Sequence, residues 1–250
     1  MNTKQAQRNI TIAYLIYATK YAWVWIGTWI FYYTNFGGYK AVGILEATMV
    51  ITTIVAEIPT GAIDDLIGKK KTLMIALLLE GISNIWMGLA PNLSHMILSL
   101  IVMNVACALF SGTYEALIYD TLKETSQAEK YKMILGKTKA IMLIVWSICG
   151  IVGGFLYKIS LGLPYILTGI IQSLGFLTTF FLTEPKIDTQ QFTLKTFFIQ
   201  NIQGFKQLFG KKVIRGITLG LLLIGVITMI VYEGYNDIIA VEVGFNPQQL

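Results

Sequence analysis

The sequence predicts an all-α integral membrane protein, a bundle of about seven transmembrane helices with its N-terminus in the cytoplasm. Three observations carry this. Of the 250 residues, 55% are hydrophobic and only 13% are charged, against about 25% charged in a typical soluble domain. The apolar residues fall in long unbroken blocks, not in an alternation of period 3.6 or 2, and blocks of that length mark spanning helices. The basic residues collect in every second gap between the blocks.

The blocks run over 9–33, 41–63, 72–90, 95–119, 138–158, 163–182 and 214–236. Each suffices to cross ~30 Å of hydrocarbon at ~1.5 Å per residue. Backbone groups in lipid need internal partners, so the blocks read as helices. The first is too long for the apolar region of a cleaved signal and has no small-residue cleavage site, so it reads as the first span. Of the 19 basic residues, only Lys40 and Lys158 fall in the opposite set of gaps, and Lys20 lies inside a span. The positive-inside rule then puts the N-terminus in the cytoplasm, and an odd span count puts the C-terminus outside. The expected location is the inner (plasma) membrane, crossed several times. The net charge of +5 belongs to these gaps, which argues against nucleic acid as a partner.

No cofactor or metal is implied. Cys107 and Cys149 are far apart inside apolar blocks, and the single His95 sits beside a Pro91-Asn92 turn as an exposed polar residue.

The gap 183–213 interleaves Phe192, Leu194, Phe197, Phe198, Ile202 and Phe205 with Lys195 and Lys206. It reads as an amphipathic helix on the inner surface, serving as a linker. The organisation is then 1–182, a six-helix bundle; 183–213, the linker; and 214–250, helix 7 with the start of an incomplete second half. Asn246-Pro247 carries N-cap and first-turn signals for one more helix.

Ionisable residues inside a membrane are costly, which makes each a functional candidate. Lys20 in helix 1 and Glu80 in helix 3 lie at similar depth, and pairing would offset the cost of both; a pair that only fixes helix register is the structural alternative. Tyr17, Tyr21, Trp23 and Trp25 flank Lys20 and could contact a cationic or planar solute. Glu57 precedes Pro59 in the inner part of helix 2. Glu115, Tyr119 and Asp120 cluster near the inner end of helix 4, where a carboxylate could bind and release a proton or simply pair with Lys123. Helix 7 ends in a polar cluster with Glu233 and Asn236. Gly150 and Gly154, with Gly153 between, have the spacing of a small-residue packing motif.

The segment Gly61 to Lys70 (GAIDDLIGKK) resembles the signature loop of the major facilitator superfamily: Gly61, Asp65, Gly68, Lys69 and Lys70 match, and Leu66 stands where a basic residue is usual. Glu57-Ile58-Pro59-Thr60 before it, Ser111 to Lys123 in helix 4 and Thr183-Glu184-Pro185 after helix 6 are similar to the corresponding segments of bacterial members. Helix 5 carries Gly153 and Gly154, the final glycines of a Gly-Pro-x-x-Gly-Gly pattern common in antiporters of the family, with Gly150 in place of its proline.

The resemblance implies a transporter, not an enzyme. It would move a small solute by alternating access between two six-helix halves about a midplane site, coupled to protons and working as an efflux antiporter. It implies a cavity lined from helices 1, 4 and 7, for which Tyr17, Lys20, Glu233 and Asn236 are the candidates. Glu57, Glu115 and Asp120 are the candidates for proton coupling, and Gly61, Asp65, Gly68, Lys69 and Lys70 form the conformational latch. Partners would be the solute, the proton and the lipid bilayer. Members have twelve helices and seven are read here, so the chain is expected to be truncated and inactive alone, or to draw the missing helices from a second chain. The alternative is a seven-helix receptor or intramembrane enzyme, but helix 7 has no internal lysine for a retinal Schiff base and no span has a protease histidine.

Overall fold

The computed structural model describes residues 1–185, 206, 209–210, 212–229 and 236–247; the side chains of 58–62, 64–66, 212–213, 222, 226, 229 and 236–237 fall outside that description. Every regular element among the described residues is helical: α1 Thr3–Lys20, α2 Trp29–Thr34, α3 Gly38–Ile67, α4 Lys69–Gly88, α5 Leu93–Glu124, α6 Tyr131–Ile159, α7 Leu163–Thr179, α8 Lys212–Met229 and α9 Asn236–Glu242. The chain divides into two compact units. One comprises Met1–Thr189 with Pro247–Gln249, and the other Gln190–Asn246 with Leu250. The second unit holds α8 and α9. Most of the expected linker 183–213, and Glu233 of helix 7, lie outside the described residues.

Helices over Gly38–Glu57, Leu93–Glu124 and Ala128–Ile159 are long and apolar enough to cross a membrane, and Leu163–Thr179 and Ile214–Gly225 are shorter apolar helices. Their outward faces are greasy: Ile51, Val55, Ile144, Ile151, Phe155 and Phe181 are each 60% exposed or more. In water such a surface would drive aggregation; against lipid it is at home.

In the first unit α4 packs most extensively against α7 and α5, α3 lies on α5, and α1 lies against α7, α6 and α5. The α4–α7 contact is backbone to backbone. Two glycine pairs, Gly81 with Gly169 and Gly88 with Gly162, meet so closely that a Cβ on any of the four would strike backbone of the other helix. Seven residues separate the pair members on each helix, two turns, so an antiparallel crossing brings both into register. By contrast, of Gly150, Gly153 and Gly154 only Gly153 is shown in such an approach, against the Val24 carbonyl; Gly150 has a nearest neighbour at 3.8 Å.

Two expectations are corrected here. The first span, read as one helix over 9–33, is broken. α1 ends at Lys20 and helix resumes only at Trp29, with a string of tight turns between. The residues there, Tyr21-Ala22-Trp23-Val24-Trp25-Ile26-Gly27-Thr28, are mostly aromatic, β-branched or glycine and favour helix weakly. Their backbone also finds partners elsewhere: Val24 N donates to Thr168 Oγ1 at 2.9 Å, and Gln172 Nε2 donates to the Lys20 carbonyl at 3.0 Å. Non-helical backbone at membrane depth is tolerated where protein encloses it.

The second correction concerns the signature segment. It is not a loop of ten residues, because α3 continues to Ile67 and the turn shrinks to Gly68. Gly68 has φ +89°, a region open to glycine without a Cβ penalty. Gly61 and Asp65 are on the helical backbone of α3, and their side chains are outside the described set.

That turn is clamped by α7's exit. Glu184 accepts from Lys69 N and Lys70 N, both at 2.8 Å, one per carboxylate oxygen. Lys70 Nζ in return donates to the carbonyls of Phe180 and Leu182, both at 2.8 Å. A carboxylate on α4's N-terminus and an ammonium on α7's C-terminal carbonyls each oppose the local helix dipole. Glu184→Ala is expected to lower stability by about 1–2 kcal/mol, seen as an earlier melting transition in detergent and faster amide exchange at Lys69 and Lys70. Unchanged exchange at those two amides would reject the cap.

Candidate functional site

The first unit has an apolar core at each end and a polar layer between. Nearer the chain's N-terminus, Ile16, Leu73, Leu77, Leu109, Phe110, Tyr114 and Leu117 form one cluster. At the other end Tyr32, Leu45, Met87, Met96, Leu100 and Tyr165 form the second. Along α4 the residues between them are Glu80, Ser83 and Asn84, all buried, and α5 contributes Asn104 and Cys107 at the same level.

Lys20, the last residue of α1, reaches Glu80 of α4 at 2.5 Å, and both side chains are 3% exposed or less. Pairing offsets part of the cost of burying two such charges in a dry interior. The pair is embedded in neutral donors. Gln172 Nε2 donates to Glu80 Oε1 at 3.1 Å, Asn84 Nδ2 donates to Gln172 Oε1 at 2.9 Å, and Trp25 Nε1 donates to Asn84 Oδ1 at 3.1 Å. Lys20 Nζ also lies 3.5 Å from Cys107 Sγ. Glu80 Oε2 and Trp146 Nε1 are buried and have no hydrogen-bond partner among the described residues.

Aromatic rings wall one side. Trp23 stacks between Trp25 and Trp146, with ring centroids at 5.2 and 5.3 Å, and Trp25 stacks on Tyr165 at 5.4 Å. Tyr21, Trp23 and Phe110 turn toward the Lys20 ammonium, with centroids 5.0, 5.3 and 5.5 Å away. Tyr17 is buried beside them, packed on Tyr21 and Tyr114 at 4.5 and 4.9 Å. Lys139 of α6 comes within 5.9 Å of the Tyr17 ring. The break in the first span is what turns Trp23 and Trp25 into this wall.

The other candidates are separate. Asp120 does not pair with Lys123; its carboxylate is 3.0 Å from Lys69 Nζ, which ties the signature turn to α5. Lys123 instead lies over Tyr119. Glu115 is exposed on α5, with Tyr131 of α6 in hydrogen-bonding reach. Glu57 is exposed on α3. Asn236 opens α9, its side chain outside the described set. His95 is in the first turn of α5, where Nδ1 accepts from Trp86 Nε1 at 3.1 Å.

Sequence reasoning passed over Asn84, Gln172, Trp146 and Lys139. The signal for the two amides was present: Glu80 and Asn84 are four apart on one helix, and a glutamine in the middle of an apolar span is as anomalous as a charge.

The apolar helical exterior is that of a membrane protein. The family model described as Major Facilitator Superfamily matches residues 10–246, and the chain belongs to that family, whose members are transporters. No curated protein matches the chain.

Proposed function

We propose that the chain serves in a carrier that moves a small solute across the inner membrane by alternating access, coupled to protons and directed outward. The carrying observation is the buried Lys20–Glu80 pair beside a broken helix. Charges held at such cost in a membrane bundle mark the path of a substrate or ion, and irregular backbone at that depth lines such paths. Tyr17 and Lys20 belong to the cavity in this reading, joined by Glu233 and Asn236 from helix 7. The N-terminus is cytoplasmic and seven spans are present, grouped as 1–182, the linker 183–213 and 214–250. Gly61, Asp65, Gly68, Lys69 and Lys70 act as the latch, a role supported by the Lys69–Asp120 pair, which would have to stretch or break if α4 moved against α5.

Glu115 is the foremost proton carrier in this reading, with Glu57 and Asp120 behind it. Its side chain is exposed on α5, and Tyr131 gives it a hydrogen-bonding neighbour on a different helix. Everted vesicles containing the chain in its assembled carrier, energised to an acid interior, are expected to lose their pH gradient when a carried solute is added. Glu115→Gln is expected to abolish that response while leaving solute binding intact. Solute movement with the gradient undisturbed would remove protons from the mechanism.

A further inference from the structure

The Lys20 ammonium occupies a cage. Its walls are the faces of Tyr21, Trp23 and Phe110, at 5.0, 5.3 and 5.5 Å, and its floor is the Glu80 carboxylate. Three ring faces and one carboxylate are also what recognises an organic ammonium ion, because the ring quadrupoles and the anion both favour a poorly hydrated cation. The cage holds more recognition than its lysine uses. Glu80 Oε2 is buried with no hydrogen bond among the described residues, an unmet acceptor where a second N–H or polarised C–H could sit. Each ring is held by another: Trp23 by the Trp25 and Trp146 stacks, Tyr21 by an edge-on contact with Trp146, and Phe110 by its stack on Tyr114. Tyr21 and Trp23 are half-buried while Lys20 and Glu80 are fully buried, so the ring wall is the side that meets the bundle surface. Lys20 itself is the last helical residue before the break.

We propose that this cage is the binding site for a solute with a small alkylammonium head, and that the Lys20 ammonium is its placeholder. The incoming cation takes the ring faces and the Glu80 carboxylate, and Lys20 gives them up. The cage holds one cation at a time, because two would face a single buried carboxylate and repel. The proposal names the solute class for the carrier reading and rests on that reading only for its purpose; the cage itself is tested by binding.

The purified chain in detergent is titrated with tetramethylammonium chloride against sodium chloride at equal ionic strength, by calorimetry and melting temperature. Saturable binding is expected in the unmodified protein, at least ten-fold tighter in Lys20→Met and lost in Trp23→Leu. Lys20→Met leaves Glu80 unpaired and should itself melt early, with tetramethylammonium restoring the transition. If that variant does not fold, the unmodified protein and Trp23→Leu decide alone. No saturable binding to the unmodified protein, equal binding to Trp23→Leu, or no gain in a folded Lys20→Met would each overturn the placeholder. Binding without any solute movement in vesicles keeps the cage and rejects the carrier reading; movement of uncharged solutes with no ammonium binding does the reverse.

Discussion

Glu80→Leu is expected to destabilise the protein by about 3–5 kcal/mol, a substantial share of the stability of an ordinary domain. The loss does not measure the attraction between Lys20 and Glu80. It measures what is left behind: an ammonium sealed among Tyr21, Trp23 and Phe110 with no anion, and a Gln172 amide that has lost one of its two acceptors. The double variant Lys20→Met/Glu80→Leu separates the two ideas. Gln172 keeps its bond to the Lys20 backbone carbonyl, which does not depend on the side chain, and no charge remains buried. The double variant is expected to melt within about 1 kcal/mol of the unmodified protein, because well-packed apolar residues replace buried ion pairs with little net loss. Equal destabilisation of single and double variants would mean that the pair holds the layer together in a way that shape alone cannot.

Gly169→Ala and Gly81→Ala are each expected to cost about 3 kcal/mol or more, above the usual range for an added core methylene. The added Cβ of either would meet the carbonyl of the other, and backbone cannot rotate out of the way as a side chain can. The only relief is to separate α4 from α7. That pulls Asn84 from Gln172 at 2.9 Å and Glu184 from the α4 N-terminus, so the polar layer and the end clamp fail together. Gly112→Ala, with nothing within 4 Å of its Cβ, is the matched control and should be neutral or slightly stabilising through helix propensity. Size-exclusion profiles and melting curves of the three proteins in one detergent decide the matter; a monodisperse, normally melting Gly169→Ala would remove the glycine contact as the seam of the bundle.

Much of this was legible in the sequence, and for identifiable reasons. Lys20 and Glu80 stood out because a charge in an apolar block is rare, and their matched depth foretold the pair. Residues 21–28 looked like helix because every one is compatible with lipid; the break is set by Thr168 and Gln172, whose distance in sequence hides them. Along the chain Lys123 is the nearest cation to Asp120, but the single-residue turn at Gly68 carries Lys69 to it. Glu184 was visible only as part of a family-like exit from helix 6; its capping role depends on where α7 ends relative to α4.

The polar layer also sets a timetable for synthesis. Lys20 and Glu80 are 60 residues apart in sequence, and Gln172 comes 92 residues after Glu80. At the roughly 5–20 residues per second of translation, Lys20 waits on the order of 3–12 s for its counter-ion. During that interval the first span carries a bare charge and a stretch whose backbone has not yet met its partners on α7, so it is a poor tenant of lipid by itself. Its stable residence in the bilayer begins with the arrival of α4, and the break acquires its last backbone partners only when α7 leaves the ribosome. The bundle is therefore assembled back onto its first helix, and the segment made earliest is the one that settles late.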